Sequence, residues 1–243
     1  MSDVPRPSMR GISAPSPAGA SYVHPDKARL AAFQRVYDNW RVVDDIYPDL
    51  AGRFERAGTG RFLELGGGRG PIAAILAEHG VATCVVDTDA QMLAEAHRPA
   101  VRADISTLPL ADAAADGAAA VNCLYFVSDP RVALREARRV LRAGGLFVAS
   151  APARWNDPEL EGIDPQWGMP SPFDAEDAPA LVGEVFGEVE VESWEVVAYV
   201  LPDRSAIADY LHAVNVPDWE SKTEDITPPL RITKLGAHVW ARR

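Results

Sequence analysis

The chain has 243 residues with a formal net charge of −11, and 47% of its residues are apolar. This length and apolar content suit one α/β domain with an elaborated edge. An acidic surface disfavours nucleic-acid partners, and the single basic run, residues 137–142, is typical of a solvated helix face. We find no apolar stretch of about 20 residues and no signal region, so we expect a cytoplasmic protein without a membrane partner.

Residues 1–25 contain five prolines among Ser, Ala and Gly. We expect this segment to be disordered, because such a composition cannot build a core. Residues 26–60 have apolar positions at helical spacing, which predicts one or two amphipathic helices, interrupted at Pro48, that form a cap or lid. The remaining residues, 26–243, are predicted to form a single domain.

Residues 61–150 alternate between strand and helix patterns. The predicted strands are 61–65, 81–86, 101–104, 117–126 and 146–150, and the predicted helices are 71–79, 90–97 and 131–141. This order predicts a Rossmann-like, doubly wound parallel sheet with helices on both faces. Cys84 and Cys123 fall in strand-like runs, so we expect two buried free thiols rather than a disulfide or a metal site.

Residues 151–243 are predicted to form the substrate side of the domain. A long proline-rich loop covers 151–173, and then come a helix capped by Asp174, a strand at 188–200, a helix at 203–214 and a terminal strand with a bulge at Gly236. We expect an antiparallel strand at the sheet edge, as the last of seven. Trp155 and Trp167 in the loop indicate either an acceptor pocket or a dimer contact.

A glycine-rich turn follows the first strand, in the sequence Glu64-Leu-Gly-Gly-Gly-Arg-Gly. A P-loop would need Gly-Lys-Ser/Thr, and a dinucleotide turn would need glycine where Pro71 stands. A turn without a ligand needs only one or two glycines. We therefore expect backbone to pass closely under a bulky ligand without a diphosphate, at Gly66, Gly67, Gly68 and Gly70.

S-adenosylmethionine fits such a turn, because a carboxylate such as Glu64 can serve its ammonium group directly or through water. Asp87 ends the second strand and precedes Thr88. An acid at this strand end is predicted to accept the two hydroxyls of an adenosine ribose. The alternative role for this region is a helix N-cap, provided by Asp87 or Asp89, and Asp89 is the better placed of the two.

Asp104 follows the third strand, and Asn122 lies within the predicted fourth strand. Asp104 is predicted to accept the exocyclic amine of adenine, although Asp also begins many turns. Ile105 and Met92 are predicted to sandwich the adenine ring. The predicted cofactor site therefore consists of Glu64, the four turn glycines, Asp87, Thr88, Met92, Asp104, Ile105 and Asn122.

Residues 61–150 resemble the class I S-adenosylmethionine-dependent methyltransferases, in the group (methyltransferase type 11) that includes the ubiquinone and menaquinone biosynthesis enzymes. The resemblance rests on FLELGGGRG, on VVDTDAQMLAEA, on a D-x-x-x-LP stretch from Asp104 to Pro109, and on REARRVLRAGG before the fifth strand. It implies a seven-stranded sheet with an antiparallel last strand. It also implies S-adenosylmethionine as cofactor, S-adenosylhomocysteine as product and no metal.

One departure from the wider family concerns the acceptor. Members that act on nitrogen of DNA or amides carry a Pro-Pro-Tyr-type motif after strand four, and this chain has Asn122-Cys-Leu-Tyr instead. We therefore expect a small-molecule acceptor, methylated on oxygen, carbon or amine nitrogen. Tyr125, Tyr37 and His24 are weak catalytic candidates, since the first two also fit apolar packing and His24 fits a solvated segment.

Two rival hypotheses remain at this stage. A protein that binds the cofactor without methylating, such as a cyclase or a regulatory subunit, would share the same turn. A nicotinamide enzyme would share the same sheet. A homodimer is also compatible with the exposed aromatic loop.

Overall fold

The computed structural model describes residues 26–243. These residues contain one seven-stranded sheet with helices on both faces. The strands β1 to β7 are Arg61–Leu65, Ala82–Asp87, Ala100–Arg102, Ala115–Val121, Leu141–Pro152, Val189–Leu201 and Leu230–Arg242. The predicted α/β fold is confirmed.

Residues 26–243 also contain eight α-helices and two short 3₁₀ helices, of which α1 and α2 precede β1. The helices α1 to α8 are Lys27–Trp40, Tyr47–Arg56, Pro71–Glu78, Ala90–Ala94, Pro130–Val140, Ala178–Phe186, Arg204–Ala213 and Trp219–Asp225. The 3₁₀ helices are Leu124–Phe126 and Pro158–Leu160. None of the helices in residues 26–243 is long and apolar enough to cross a membrane.

The sheet order is β3-β2-β1-β4-β5-β7-β6. Strands β1 to β5 pair in parallel, whereas β7 is antiparallel to both β5 and β6. The expected antiparallel last strand is confirmed, but its expected place at the sheet edge is wrong. β7 is almost wholly buried near its end, while β6 exposes Glu190, Glu192 and Glu195. Charged side chains discourage further strand pairing, so β6 is the strand that suits an edge.

Two apolar layers cover the sheet. Helices α5 and α6 pack on one face with Phe147, Phe173 and Phe186. Helices α2 and α3 pack on the other face, where Phe54 contacts Phe62 and Trp240. Both faces of the parallel strands are therefore buried, which explains their continuous apolar runs.

The N-terminal segment forms two helices, in agreement with the predicted pattern. The side chain of Asp26 caps α1 by accepting from the N–H of Arg29 at 2.9 Å. Pro48 lies in the first turn of α2 and does not interrupt a helix, since a proline there needs no N–H partner. Helix α1 packs against α7, and this contact places α1 over the carboxyl ends of the strands.

The expected helix start at Asp174 is wrong, although its Oδ1 accepts from the N–H of Asp177 at 3.2 Å in the turn before α6. Helix α6 begins four residues later, with Pro179 in its first turn, and Asp174 is buried in an ion pair with Arg154 at 2.6 Å. The expected bulge at Gly236 is also wrong. Gly236 pairs in register with Pro152 and Trp194, and the irregularity lies in β6 between Val197 and Tyr199.

Two strand boundaries also differ from the sequence expectation. β4 ends at Val121, because Asn122 adopts a left-handed φ of 52° and the 3₁₀ helix follows. β5 begins at Leu141, directly after α5, and Gly144 and Gly145 lie within it at a register shift rather than in a separate turn.

Candidate functional site

A cavity of about 1380 Å³ lies at the carboxyl ends of the parallel strands. The turn after β1, the ends of β2 to β5, helix α1, the loop after β5 and part of β6 line it. Ligand pockets for one small molecule are commonly about 300–1,000 Å³, so this cavity has room for a cofactor and a second molecule.

The glycine turn has two different structural requirements. Gly70 adopts a φ of 77°, and a Cβ there would overlap the side chain of Val85, so Gly70 allows α3 to pack on β2. Gly68 adopts a φ of 56° and lines the cavity, and no atom lies within 4 Å of the place of its missing Cβ. The open space over Gly68 fits a ligand that lies directly on the backbone.

Glu64 lies behind this turn and does not line the cavity. Its carboxylate accepts from the backbone N–H groups of Ile72 at 3.3 Å and Ala73 at 2.7 Å. Burial raises the pKa of Glu64 to about 7, and the two amide donors oppose that rise. Glu64 thus fixes the start of α3 against the turn, and its expected contact with an ammonium group stays a prediction.

Asp87 lies at the end of β2 and faces the cavity. Its Oδ2 accepts from the N–H of Gly68 at 2.8 Å, and its Oδ1 accepts from the N–H of Asp89 at 2.8 Å. Asp89 is the N-cap of α4, accepting from Gln91 at 2.7 Å. The helix-cap role therefore belongs to Asp89, and Asp87 is left at the cavity wall with lone pairs for a ligand.

Asp104 begins a turn and lines the cavity, and its contact with an adenine amine stays a prediction. Its Oδ1 accepts from the N–H of Ser106 at 2.7 Å, which begins a turn, and its exposed side chain also lines the cavity. Ile105 is buried beside it and Met92 is half-buried, and both line the same cavity.

The structure brings most of the predicted cofactor residues together. Gly66, Gly67, Gly68, Asp87, Thr88, Met92, Asp104, Ile105 and Asn122 all line the cavity, whereas Glu64 and Gly70 support it from behind. Their individual contacts with a cofactor stay predictions.

The three catalytic candidates have different surroundings. The hydroxyl of Tyr37 donates to Asp45 and accepts from Arg41 at 2.8 Å, and burial raises its pKa above the usual value. This phenol is held by an ion pair and is a poor base. Tyr125 lines the cavity on the 3₁₀ helix after β4, beside Phe126. His24 lies outside the described residues.

The proline-rich loop contributes unequally to the cavity. Trp167 lines it, with its indole N–H donating to the backbone oxygen of Asn156 at 3.0 Å. Trp155 lies outside and contacts Trp167 edge-on, with ring centroids 5.0 Å apart, while 49% of Trp155 stays exposed. Of the two tryptophans, Trp167 is the one that lines the cavity.

The sequence interpretation missed a group of polar side chains on β6 and β7. His238 and Trp194 line the cavity, and Nδ1 of His238 lies 2.6 Å from Oγ of the buried Ser150. Tyr47, at the start of α2, also lines it, and burial raises its pKa to about 12. The two-residue period of the last strand, which puts Gly236, His238 and Trp240 on one face, was the available signal.

Most of the cations that line the cavity are paired with carboxylates. Arg41 pairs with Asp45, Arg154 with Asp174, and Lys234 with Asp157. The strand-end acids Asp87 and Asp104 have no such ion pair among the described side chains. An environment of this charge suits a sulfonium cation. Among residues 26–243, no group of three or more His, Cys, Asp or Glu residues is arranged to hold a metal ion.

Comparison with known proteins agrees with this geometry. Residues 63–149 match the family described as "Methyltransferase domain". The ubiquinone/menaquinone biosynthesis C-methyltransferase UbiE of Rubrivivax gelatinosus is 36% identical over 105 residues, which are 40% of this chain and 42% of the relative. A malonyl-[acyl-carrier protein] O-methyltransferase of Enterobacter lignolyticus is 33% identical over 143 residues, covering 55% and 57%. The chain thus spans about half the length of these relatives.

Solved structures share the fold over most of the chain. The [4+2]-cyclase SpnF has a TM-score of 0.58 and 18% identity, and the alignment covers 96% of this chain and 99% of SpnF. This likeness concerns the fold alone. With the domain match, the glycine turn and the strand-end acids, residues 63–149 belong to the class I S-adenosylmethionine-dependent methyltransferases, with S-adenosylmethionine as cofactor.

Proposed function

We propose that the protein transfers a methyl group from S-adenosylmethionine to a small-molecule acceptor, in natural-product or quinone-like metabolism. One observation carries the proposal: the open backbone at Gly68, the acid Asp87 and the acid Asp104 line one wall of a cavity of about 1380 Å³. The cavity is also lined by aromatic side chains, including Tyr37, Tyr125 and Trp167.

One group of cavity residues is proposed to bind the cofactor, and another group is proposed to enclose the acceptor. The cofactor supplies an activated methyl group on a sulfonium, and the protein has to orient the acceptor and exclude water. Asp87 and Asp104 are proposed to hold the adenosine, with Met92 and Ile105 around the adenine. Helix α1 and the loop after β5 enclose the acceptor, and such positioning contributes about 7–11 kcal/mol in favourable cases.

The relatives support a small-molecule acceptor but do not select the atom. One of them is a C-methyltransferase and the other is an O-methyltransferase. The departure from the Pro-Pro-Tyr motif at Asn122 supports the same class and disfavours DNA as substrate. We further propose a cytoplasmic enzyme.

Isothermal titration calorimetry with S-adenosylhomocysteine and NADH tests the cofactor. Tight binding of S-adenosylhomocysteine without NADH binding supports the proposal, and the reverse result would overturn it.

Transfer of label from S-adenosyl-[methyl-³H]methionine to a panel of hydroxyl, amine and quinol acceptors tests the reaction. Binding of S-adenosylhomocysteine without transfer to any member would favour the non-methylating alternative. The cyclase SpnF, which shares the fold, is an example of such a protein.

A further inference from the structure

His238 is a buried histidine in the acceptor part of the cavity, away from the strand-end acids. It lies on β7, directly paired with Ser150 on β5 and with Glu192 on β6. The residue is 9% exposed and lines the cavity. Its Nδ1 forms a hydrogen bond with Ser150 Oγ at 2.6 Å, and within residues 26–243 Nε2 forms no hydrogen bond. The ring is therefore held through Nδ1, and its Nε2 has no hydrogen-bond partner among the described residues.

The strand order places this ring near the predicted cofactor site. The N–H of Asn122, at the end of β4, donates to the backbone oxygen of Ser150 at 3.0 Å. β5 lies between β4 and β7. Neighbouring strands are about 4.8 Å apart, so His238 lies roughly 10 Å across the sheet from Asn122. A small acceptor can bridge that distance.

Burial favours a neutral imidazole at His238. Burial lowers its pKa from the usual 6.5, and Arg53 on α2 acts in the same direction, while Glu192 opposes them. Glu192 is itself engaged by Arg53 and by the indole N–H of Trp240. A neutral ring with Nδ1–H donating to Ser150 Oγ has a lone pair on Nε2, which can accept a proton.

We infer that Nε2 of His238 receives the proton of a hydroxyl or amine acceptor, so that this site methylates oxygen or nitrogen. The inference rests on the proposed function. The acceptor's lone pair forms the bond to the methyl carbon, and the carbon–sulfur bond breaks with its electron pair left on sulfur. The O–H or N–H proton moves to Nε2, and the imidazolium then releases it to solvent.

A measurement without turnover tests the assignment. In protein labelled with ¹⁵N-histidine, NMR is expected to show His238 as the Nδ1–H tautomer, with a titration midpoint below 6.5. The resonance is assigned by its loss in His238→Gln. Ser150→Ala is expected to move the proton to Nε2, because Nδ1–H loses its acceptor. An Nε2–H tautomer in the wild type would overturn the inference.

Calorimetry separates this inference from the proposed function. His238→Gln and the matched control His79→Gln, at an exposed histidine after α3, are expected to bind S-adenosylhomocysteine within twofold of the wild type. If the wild type binds no S-adenosylhomocysteine, the proposed function fails. If it binds and the tautomer is wrong, only the role of His238 fails.

A panel of phenols, alcohols, primary amines and quinol ring carbons tests the acceptor class. On a hydroxyl or amine acceptor, His238→Gln is expected to lower kcat by about 100-fold or more with a smaller change in KM, and His79→Gln is expected to match the wild type. The loss of kcat in His238→Gln should become smaller as the pH rises, because the acceptor then loses its proton to solvent without the histidine. A wild type that methylates only carbon, or no hydroxyl or amine acceptor, would contradict the inference.

Discussion

Oδ2 of Asp87 accepts a hydrogen bond from the backbone N–H of Gly68 at 2.8 Å. This bond ties the acid at the end of β2 to the turn after β1. The two features that indicated the cofactor separately in the sequence therefore form one rigid unit, and disturbing either one is expected to disturb the other.

Asp87→Ala is expected to weaken S-adenosylhomocysteine binding at least tenfold. The substitution removes the proposed ribose acceptor, whose charge-assisted hydrogen bonds contribute about 1.5–3 kcal/mol each, and it frees the Gly68 N–H. Isothermal titration calorimetry measures the change. Asp112→Ala is the control, because Asp112 is exposed and pairs with Arg139. An unchanged affinity in Asp87→Ala would show that the ribose site is misplaced.

Gly68→Ala is expected to affect mainly ligand binding, whereas Gly70→Ala is expected to affect mainly stability. Both residues have a positive φ, which costs an alanine about 1–2 kcal/mol. The Gly68 Cβ would project into open space in the cavity, so its main effect should be weaker S-adenosylhomocysteine binding. The Gly70 Cβ would overlap Val85, so Gly70→Ala should lower the free energy of unfolding by a further 1–3 kcal/mol or so.

Urea unfolding and calorimetry on both glycine variants separate the two effects. Equal loss of stability in the two variants would contradict the distinction between a cavity-facing and a packed glycine.

Glu64 is expected to make stability fall as the pH rises. Its pKa is about 7 in the folded protein against 4.5 for the free group, so between these values the folded state keeps a proton that the unfolded chain has lost. The stabilisation is fully present below pH 4.5 and is lost as the pH passes 7. By linkage the loss is roughly 3 kcal/mol.

Urea unfolding of the wild type, Glu64→Gln and the exposed control Glu161→Gln between pH 5 and 8 checks this slope. Glu64→Gln should remove the contribution and Glu161→Gln should keep it. The same slope in all three proteins would be incompatible with a titrating Glu64.

Gly236→Ala is expected to destabilise the protein and to disturb the acceptor part of the cavity. A Cβ at Gly236 would overlap the indole of Trp194 and lie 2.5 Å from the backbone oxygen of Ala151, which cannot move freely within β5. Overpacking of this kind costs about 1–3 kcal/mol. Thermal unfolding and Trp fluorescence measure it, with Gly183→Ala as control because its Cβ would meet no atom within 4 Å. Unchanged thermal unfolding and Trp fluorescence in Gly236→Ala would contradict this packing.

Local sequence patterns predicted the elements that depend on neighbouring residues. The alternation of strand and helix patterns predicted β1 to β5, and the acids at the ends of β2 and β3 indicated one edge of a parallel sheet. The prediction failed where distant residues compete. Asp174 was expected to begin a helix, but α6 begins four residues later, and Arg154 from another segment binds the Asp174 carboxylate at 2.6 Å. Gly236 was expected to bulge, but the indole of Trp194 on a neighbouring strand requires a residue without a side chain there.

By itself, the sequence determined the fold class and the methyl donor, because a glycine turn and strand-end acids lie within short, continuous stretches of chain. Only the tertiary structure decided that Glu64 faces helix α3, that β7 lies inside the sheet, and that His238 and Ser150 meet in the acceptor part. Ser150 and His238 are separated by 88 positions in the chain, and their 2.6 Å contact exists only through the pairing of β5 with β7. Pairing between such distant strands depends on the packing of the whole sheet, which no local pattern encodes.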